Sequence, residues 1–341
     1  MDDKPHIDDV QTSTVAEHMK LIMEDRSTID LEYVPITPND LPYWMDKRLF
    51  KIGRQYYMKN LMGIAVANLT GLIAILCVPD IVEVLEYTKK SDTVCLSFKR
   101  YAKTVLLIYE LFKSDMLDPN SKWYKAINVM RWKHASISKR RVKQGLNAIY
   151  QKDMSITQFG FMGFVLVYPE KMGLALTTLE EREGFNHFWR VTAHLLGISD
   201  RMNIARRTAA ETIELCRRIG DEILVKYMNK TSPGFEKLAR NAFDGLSYHD
   251  LSLDTDAYFA LTYDMTGVKY QKPLGWYSYC NMKHREWLLY SCNIPYIGAL
   301  VRICTNCVYA FLYWVLDKYP LGAWIGFGKE NAQFCLYPTI K

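Results

Sequence analysis

Two amphipathic helical patterns between Leu96 and Arg141 limit the possible folds more than any other feature of the sequence. A short break at residues 114–120, which contains Pro119, separates them. Apolar residues recur at helical spacing on one face of each segment: Leu96, Leu107 and Leu111 in the first, and Trp123, Ile127, Met130 and Ile137 in the second. With helical patterns on both sides, this pair predicts an all-α chain around two packed central helices.

Polar side chains interrupt both apolar faces. Arg100, Lys103 and Thr104 stand at i, i+3 and i+4 and therefore project from one face of the first helix, and His134 fills a gap in the stripe of the second. Buried charges are costly unless they are paired or functional. Two interpretations follow from the pattern alone. His134 is a hydrogen-bonded core histidine and the cations form a structural salt bridge, or the two helices hold a haem between them.

The same residues lie in two motifs that resemble those of a known family. The runs Arg100-Tyr101-Ala102-Lys103-Thr104 and Val129-Met130-Arg131-Trp132-Lys133-His134-Ala135 resemble the R-x-x-K-T and R-x-x-H-A motifs of the latex clearing protein (rubber oxygenase) and MpaB family. Similar stretches at 164–173, 185–190 and 196–198 extend the likeness from about Trp44 to Arg217. Members of that family are haem b oxygenases whose two motifs lie on helices flanking the haem.

The resemblance implies a fold class and a set of roles. The fold is expected to be all-α, a single large helical domain built around a haem sandwiched between core helices, globin-like in style. His134 corresponds to the proximal iron ligand, and Lys103 and Thr104 correspond to the distal, catalytic pair. Arg100 and Arg131 are the candidates for binding the haem propionates, since a guanidinium suits a carboxylate.

The resemblance also implies an activity. The expected function is a haem b-dependent oxygenase that uses O2 to cleave or oxidise a carbon–carbon double bond of an apolar isoprenoid or unsaturated lipid. Some members use a carboxylate as a base; Glu83 and Glu86 lie in the corresponding region, and the sequence does not choose between them. Two alternatives stay open: a non-catalytic haem carrier or sensor, and a haem-free lipid-binding, membrane-associated helical protein.

Composition bounds the class of protein. The chain has 341 residues, a net charge of +6, 49% hydrophobic and 13% aromatic residues, which is enough for a large core and a lined cavity. The basic runs Lys139-Arg140-Arg141 and Arg206-Arg207 are short and read as solvated helix ends, so we expect no nucleic-acid partner. The polar, acidic start lacks a secretory signal pattern, which predicts an intracellular protein, cytoplasmic or on the cytosolic face of the endoplasmic reticulum membrane. The eight cysteines are then free thiols, with Cys304 and Cys307 as core residues.

Three regions are predicted along the chain. Residues 1–40 form an arm with one short helix near Val15 to Glu24 and exposed His6 and His18. Residues 41–290 form the haem-binding helical oxygenase domain; within it, 204–227 reads as one amphipathic helix and 263–275 as a strand-like or irregular segment. Residues 291–341 form an apolar C-terminal segment that packs on the core or on a membrane surface.

Two strongly apolar stretches raise the question of a membrane. Leu61 to Val78 is an 18-residue run without a charge, but its glycines and polar residues favour a core helix over a membrane span. Residues 294–327 are apolar and aromatic, and Arg302 and Asp317 enclose too few residues to span a bilayer. This stretch is either a final core helix or an interfacial helix, so peripheral membrane contact stays open.

Overall fold

A computed structural model describes residues 5–340, and these residues fold into one all-α domain. The only β contact among them is an isolated bridge between Thr28 and Tyr150. The helices are α1 (Ile7–Val10), α2 (Val15–Glu24), α3 (Lys47–Lys59), α4 (Leu61–Leu76), α5 (Pro79–Tyr87), α6 (Val94–Lys113), α7 (Lys122–Lys143), α8 (Gln151–Val167), α9 (Leu179–Leu196), α10 (Ala209–Arg218), α11 (Val225–Asn229), α12 (Pro233–Ser247), α13 (Thr255–Thr266), α14 (Trp276–Cys292), α15 (Ile297–Lys318), α16 (Leu321–Phe327) and α17 (Lys329–Ala332).

The two central helices begin and end where the sequence predicts. The Thr93 hydroxyl accepts a hydrogen bond from the Leu96 amide (3.3 Å) and caps the start of α6. The Ser121 hydroxyl accepts one from the Trp123 amide (3.2 Å) at the start of α7. These bonds satisfy backbone donors that the first turn of a helix leaves unpaired. The predicted break between the helices is therefore confirmed, and α6 and α7 pack side by side.

Helix α4 is the centre of the core, as its charge-free sequence predicts. It packs along α8, where Gly71 and Gly160 face each other so closely that a Cβ on Gly71 would overlap the Gly160 carbonyl. Helix α3 crosses α9 through a similar pair, Gly53 and Gly184. Glycines at both crossings let the helix backbones approach each other directly. A bend of 92° at Asn60 separates α3 from α4.

Two predicted elements are wrong in detail. The region 204–227 is not one helix, because α10 begins only at Ala209 and a π-helical segment, Ile219–Leu224, follows it. In the region 263–275, Tyr263 to Thr266 complete α13, and Gly267 ends that helix in the left-handed conformation at φ 70°. Residues 267–275 form neither helix nor strand, so the irregular alternative is confirmed for them and the strand-like one is wrong. The sequence pattern missed the π segment in the first region because such a segment keeps a nearly helical spacing of apolar residues.

The N-terminal arm is docked through buried polar pairs, which corrects two further predictions. Helix α2 is present as predicted, but His18 is fully buried and its Nδ1 lies 3.0 Å from Arg206 Nη1. Arg206 is therefore not a solvated helix end, and neither is Arg141, whose buried guanidinium donates to Glu83 Oε1 (2.6 Å). Residues 1–4 of the arm lie outside the described residues.

The C-terminal helices lie on the outside of the domain. Helix α15 packs one side against α4, α3 and α6 and exposes the other, so it is not a core helix. It is 22 residues long because it continues past Arg302, and by length and composition alone it would be able to cross a membrane. Cys304 and Cys307 lie exposed on this helix, which overturns their assignment to the core.

Candidate functional site

An apolar cavity lies between α4, α6, α8 and α15. Its volume is about 130 Å³. Leucines, isoleucines and tyrosines make up most of its wall, and Thr104 of α6 contributes a hydroxyl to it. That hydroxyl donates to the Arg100 carbonyl (3.1 Å), a local helix contact that leaves its oxygen lone pairs available to the cavity. Of the residues expected at the site, Thr104 alone contacts this cavity.

Arg100 and Lys103, on the same helix, lie among other cations. The Arg100 guanidinium donates to the hydroxyls of Thr88 (3.1 Å) and Ser91 (3.2 Å). The Lys103 ammonium lies 5.9 Å from the centre of the Phe334 ring, which belongs to the C-terminal tail. Within residues 5–340 no carboxylate forms an ion pair with either side chain. The structure therefore does not support the structural salt bridge that would have explained these two cations.

Two more cations, Lys133 of α7 and Lys90 of the α5–α6 connection, lie near Arg100 and Lys103. These four residues are called the basic cluster below. Burial, followed by the positive charges of Lys103, Lys90 and Arg100, lowers the pKa of Lys133 to about 8. Burial and the charge of Lys90 also lower the pKa of Lys103. Cations held this close without a counter-ion favour binding of an anion, because an anion would relieve their mutual repulsion.

His134 projects from α7 next to this cluster. Its Nδ1 is inaccessible to solvent and has no hydrogen-bond partner in the described part of the chain. Burial and the charges of Lys133, Arg100 and Arg131 lower the pKa of His134 to about 4. The imidazole is therefore neutral at physiological pH, which is the form that binds a metal ion.

Arg131 is held by backbone carbonyls rather than by a carboxylate. Its guanidinium donates to Leu195 O (2.7 Å), at the end of α9, and to Val34 O (3.3 Å), in the N-terminal arm. These bonds occupy two of its donors and tie α7 to both segments. Arg131 and His134 line a smaller cavity with a mixed polar and apolar wall, together with Tyr33, Ala135 and Gly197.

The structure thus brings the predicted residues together only in part. Helices α6 and α7 face each other, with Arg100 of α6 within range of the charge of His134 and both Arg100 and Lys103 within range of Lys133. Thr104 and His134, however, line two different cavities. In the range 5–340 no group of three or more His, Cys, Asp or Glu side chains is arranged to hold a metal ion without a further ligand.

Neither of the two glutamates that were considered as a catalytic base lines the apolar cavity. Glu83 and Glu86 are both exposed on α5, and Glu83 pairs with Arg141. Three polar residues that the sequence did not single out do line the cavity: Asn68, His249 and Asp250. Burial lowers the pKa of His249, and Asn68 Oδ1 is buried without a partner among the described residues. The sequence offered one signal for this part of the site, the polar Asn68 within the apolar, charge-free helix α4. His249 reaches the cavity only through the tertiary packing of the loop after α12.

Known proteins share this fold. The structure of latex clearing protein in its closed state superposes with a TM-score of 0.59, covering 90% of this chain and 85% of that protein at 19% identity. Rubber oxygenase of Streptomyces sp. (strain K30) is 27% identical over 173 residues, which cover 47% of this chain. The chain spans about two-fifths (41%) of that relative's length. No protein-family model matches the chain.

These two comparisons define the class of protein. The chain has the all-α fold of latex clearing protein, and the resemblance drawn from the two motifs on α6 and α7 is confirmed. Its likeness to the MpaB branch of the family stays a prediction.

Proposed function

We propose that this protein is a haem b-dependent oxygenase that cleaves or oxidises a carbon–carbon double bond of an apolar isoprenoid or unsaturated lipid, with O2 as the second substrate. One observation carries the proposal: on the fold of latex clearing protein, α7 carries a neutral imidazole whose Nδ1 has no partner, the facing helix α6 carries cations without a counter-ion, and Thr104 of α6 contacts an apolar cavity. Arg100, Lys103, Lys133 and His134 are half-buried, and partly buried polar groups without protein partners favour a ligand that satisfies them.

The chemistry of these residues fits a haem. His134 offers a neutral imidazole for iron, and Arg100 and Lys133 offer cations for the propionates. Arg131 is the weaker propionate candidate, because backbone carbonyls already occupy its guanidinium. A haem, when bound, would supply the activation of O2.

The protein would supply three further functions. The leucines, isoleucines and tyrosines around the cavity would exclude water and bind an apolar chain. Thr104 would present a hydroxyl beside the substrate, and Lys103 would stabilise negative charge that develops during the reaction. His249 is the imidazole at this cavity wall and would accept a proton there.

Haem titration of the purified protein tests the cofactor. We expect a Soret band to appear on addition of haem, and His134→Ala to abolish it. The matched control is His194→Ala, which removes a half-buried histidine of α9 that is paired with Asp200 (2.6 Å). Arg100→Gln should weaken haem binding about tenfold or more, since a hydrogen bond to a charged group contributes about 1.5–3 kcal/mol. Lys139→Gln, which removes an α7 cation bonded to Glu32, should not change it.

Oxygen uptake with a panel of isoprenoids and unsaturated lipids, together with the mass of the products, tests the activity. His134→Ala should abolish uptake, and Lys103→Ala should slow it without preventing haem binding. Protein that binds haem but consumes no oxygen with any substrate would be a carrier or sensor.

One observation favours a second candidate function, a haem-free lipid-binding protein. The imidazole of His134 lies outside the lining of the apolar cavity, so an apolar ligand there would not need to contact a metal bound to His134. Protein that stays colourless after haem is supplied, yet binds isoprenoid lipids, would establish this alternative and contradict the oxygenase.

A further inference from the structure

The outer surface of α14 and α15 is a broad apolar and aromatic face. The two helices pack against each other and are joined by the short segment 293–296. Most of the side chains that point away from the domain are tryptophan, tyrosine, phenylalanine or aliphatic residues. This set is called the outer face below: Trp276, Tyr277, Tyr279, Trp287, Tyr290, Tyr296, Ile297, Leu300, Ile303, Val308, Phe311 and Trp314.

The outer face is too large and too apolar to be ordinary solvent-exposed surface. Trp276 is 81% exposed, Leu300 64% and Phe311 60%. Between Ile297 and Leu316 the sequence has a single charged residue, Arg302, and its guanidinium turns back to donate to Cys292 O (2.6 Å). Exposed apolar side chains in this number on two packed helices mark a surface that another apolar body covers.

Two features of the face itself match a lipid bilayer. Its tryptophans and tyrosines combine an apolar ring with a polar tip, as is typical of side chains at the boundary between headgroups and acyl chains. Exposed lysines lie on the face and at its end: Lys283 on α14, which also pairs with Glu286 (2.7 Å), Lys318 at the end of α15, which also pairs with Asp317 (2.8 Å), and Lys329, whose ammonium lies 5.2 Å from the centre of the Trp324 ring. Cations at the edge of an apolar helical face complement anionic headgroups.

The opposite side of α15 strengthens the choice of lipid over a protein partner. Tyr309, Leu312, Tyr313 and Leu316 of this helix line the apolar cavity. A single helix therefore separates the cavity from the outer face. A lipid surface at that position would place an apolar chain next to the cavity wall, which a second protein copy would not do.

We propose that α14 and α15 dock on a lipid bilayer through the outer face, with both helices lying in the headgroup region and the domain above it. Helix α15 is long enough to span a bilayer, but its inner side packs on α4 and α6, so lipid contacts only one side of it. This docking requires neither haem nor catalysis and holds or fails independently of the proposed oxygenase activity.

Flotation of the full-length protein with vesicles tests the docking. We expect wild-type protein to float with vesicles of phosphatidylcholine and, more completely, with vesicles that also contain phosphatidylserine. The variant Ile303→Ser/Phe311→Ser/Trp314→Ser should reduce the vesicle partition coefficient about tenfold or more, because each side chain loses its burial in lipid. The matched control, Leu117→Ser/Leu176→Ser/Leu179→Ser, removes three exposed apolar side chains elsewhere and should bind vesicles like the wild type.

The same variants distinguish the competing occupants. Circular dichroism and the thermal midpoint should be unchanged in both triple variants, since all six positions are exposed. Wild-type protein that stays with the soluble fraction would overturn the proposal. So would a stable dimer that the first triple variant converts to a monomer, because the outer face would then be an interface between copies.

Discussion

Helices α4 and α15 are both apolar and adjacent in space, but their environments are opposite. Of the 16 residues of α4, 13 are buried, whereas only three of the 22 residues of α15 are. Helix α4 carries Gly63 and Gly71, so neighbouring segments approach its backbone closely on two sides. Helix α15 carries aromatic and branched side chains on its outward side, which keep other helices away. In α15 the one such glycine, Gly298, lies at the first turn, whereas those of α4 lie along the helix, so close packing along its length distinguishes the enclosed helix from the exposed one.

A matched pair of truncations provides the strongest test of this contrast. Ile64 of α4 is fully buried and Ile303 of α15 is 62% exposed. Ile64→Ala should lower the free energy of unfolding by about 3–4 kcal/mol, because it removes buried methyl groups and leaves a cavity. Ile303→Ala should change it by less than about 0.5 kcal/mol. Chemical denaturation of the detergent-free protein measures both, and equal losses would show that α15 is covered in solution.

The glycine contact of α4 gives the next largest effect. Gly71→Ala places a Cβ against the Gly160 carbonyl and must push α4 and α8 apart, so we expect a loss of about 2–3 kcal/mol despite the better helix propensity of alanine. Gly220→Ala is the control, because a Cβ there meets nothing within 4 Å. A stable Gly71→Ala variant would mean that tight helix crossing is not what encloses α4.

The same two helices show how much of the fold could be predicted. Local signals sufficed where they are strong: Pro119 marks the break between α6 and α7, and the charge-free run marks α4. They failed for α15, because apolar periodicity records that a side chain is apolar and not whether protein or another phase covers it. Arg302 appeared to end the apolar stretch, yet the helix continues through it, since the guanidinium bonds to the Cys292 carbonyl.

The candidate site also has some features that the sequence predicts and others that only the tertiary structure reveals. The spacing of Arg100, Lys103, Thr104 and His134 on two helices is a local property and could be read from the sequence, although their roles stay predictions. The contribution of Lys90 and Lys133 to the basic cluster, and of His249 to the cavity, arises from contacts between distant segments. The spacing of residues within one helix cannot predict which distant segments will contact it.

The smallest expected effect is on the pH dependence of stability, which a buried and an exposed histidine should influence differently. Burial and the charge of Arg206 lower the pKa of His18 from 6.5 to about 4, so the folded state binds this proton less readily than the unfolded chain. The contribution is fully present above pH 6.5 and is lost as the pH falls towards 4. Wild-type protein should therefore lose about 2 kcal/mol more stability than His18→Gln between pH 7 and pH 5.

His284→Gln, which changes an exposed histidine on α14, serves as the control and should keep the wild-type pH dependence. Parallel curves for wild-type protein and His18→Gln would show that the N-terminal arm is already undocked at neutral pH, since only a docked arm excludes the proton from this imidazole.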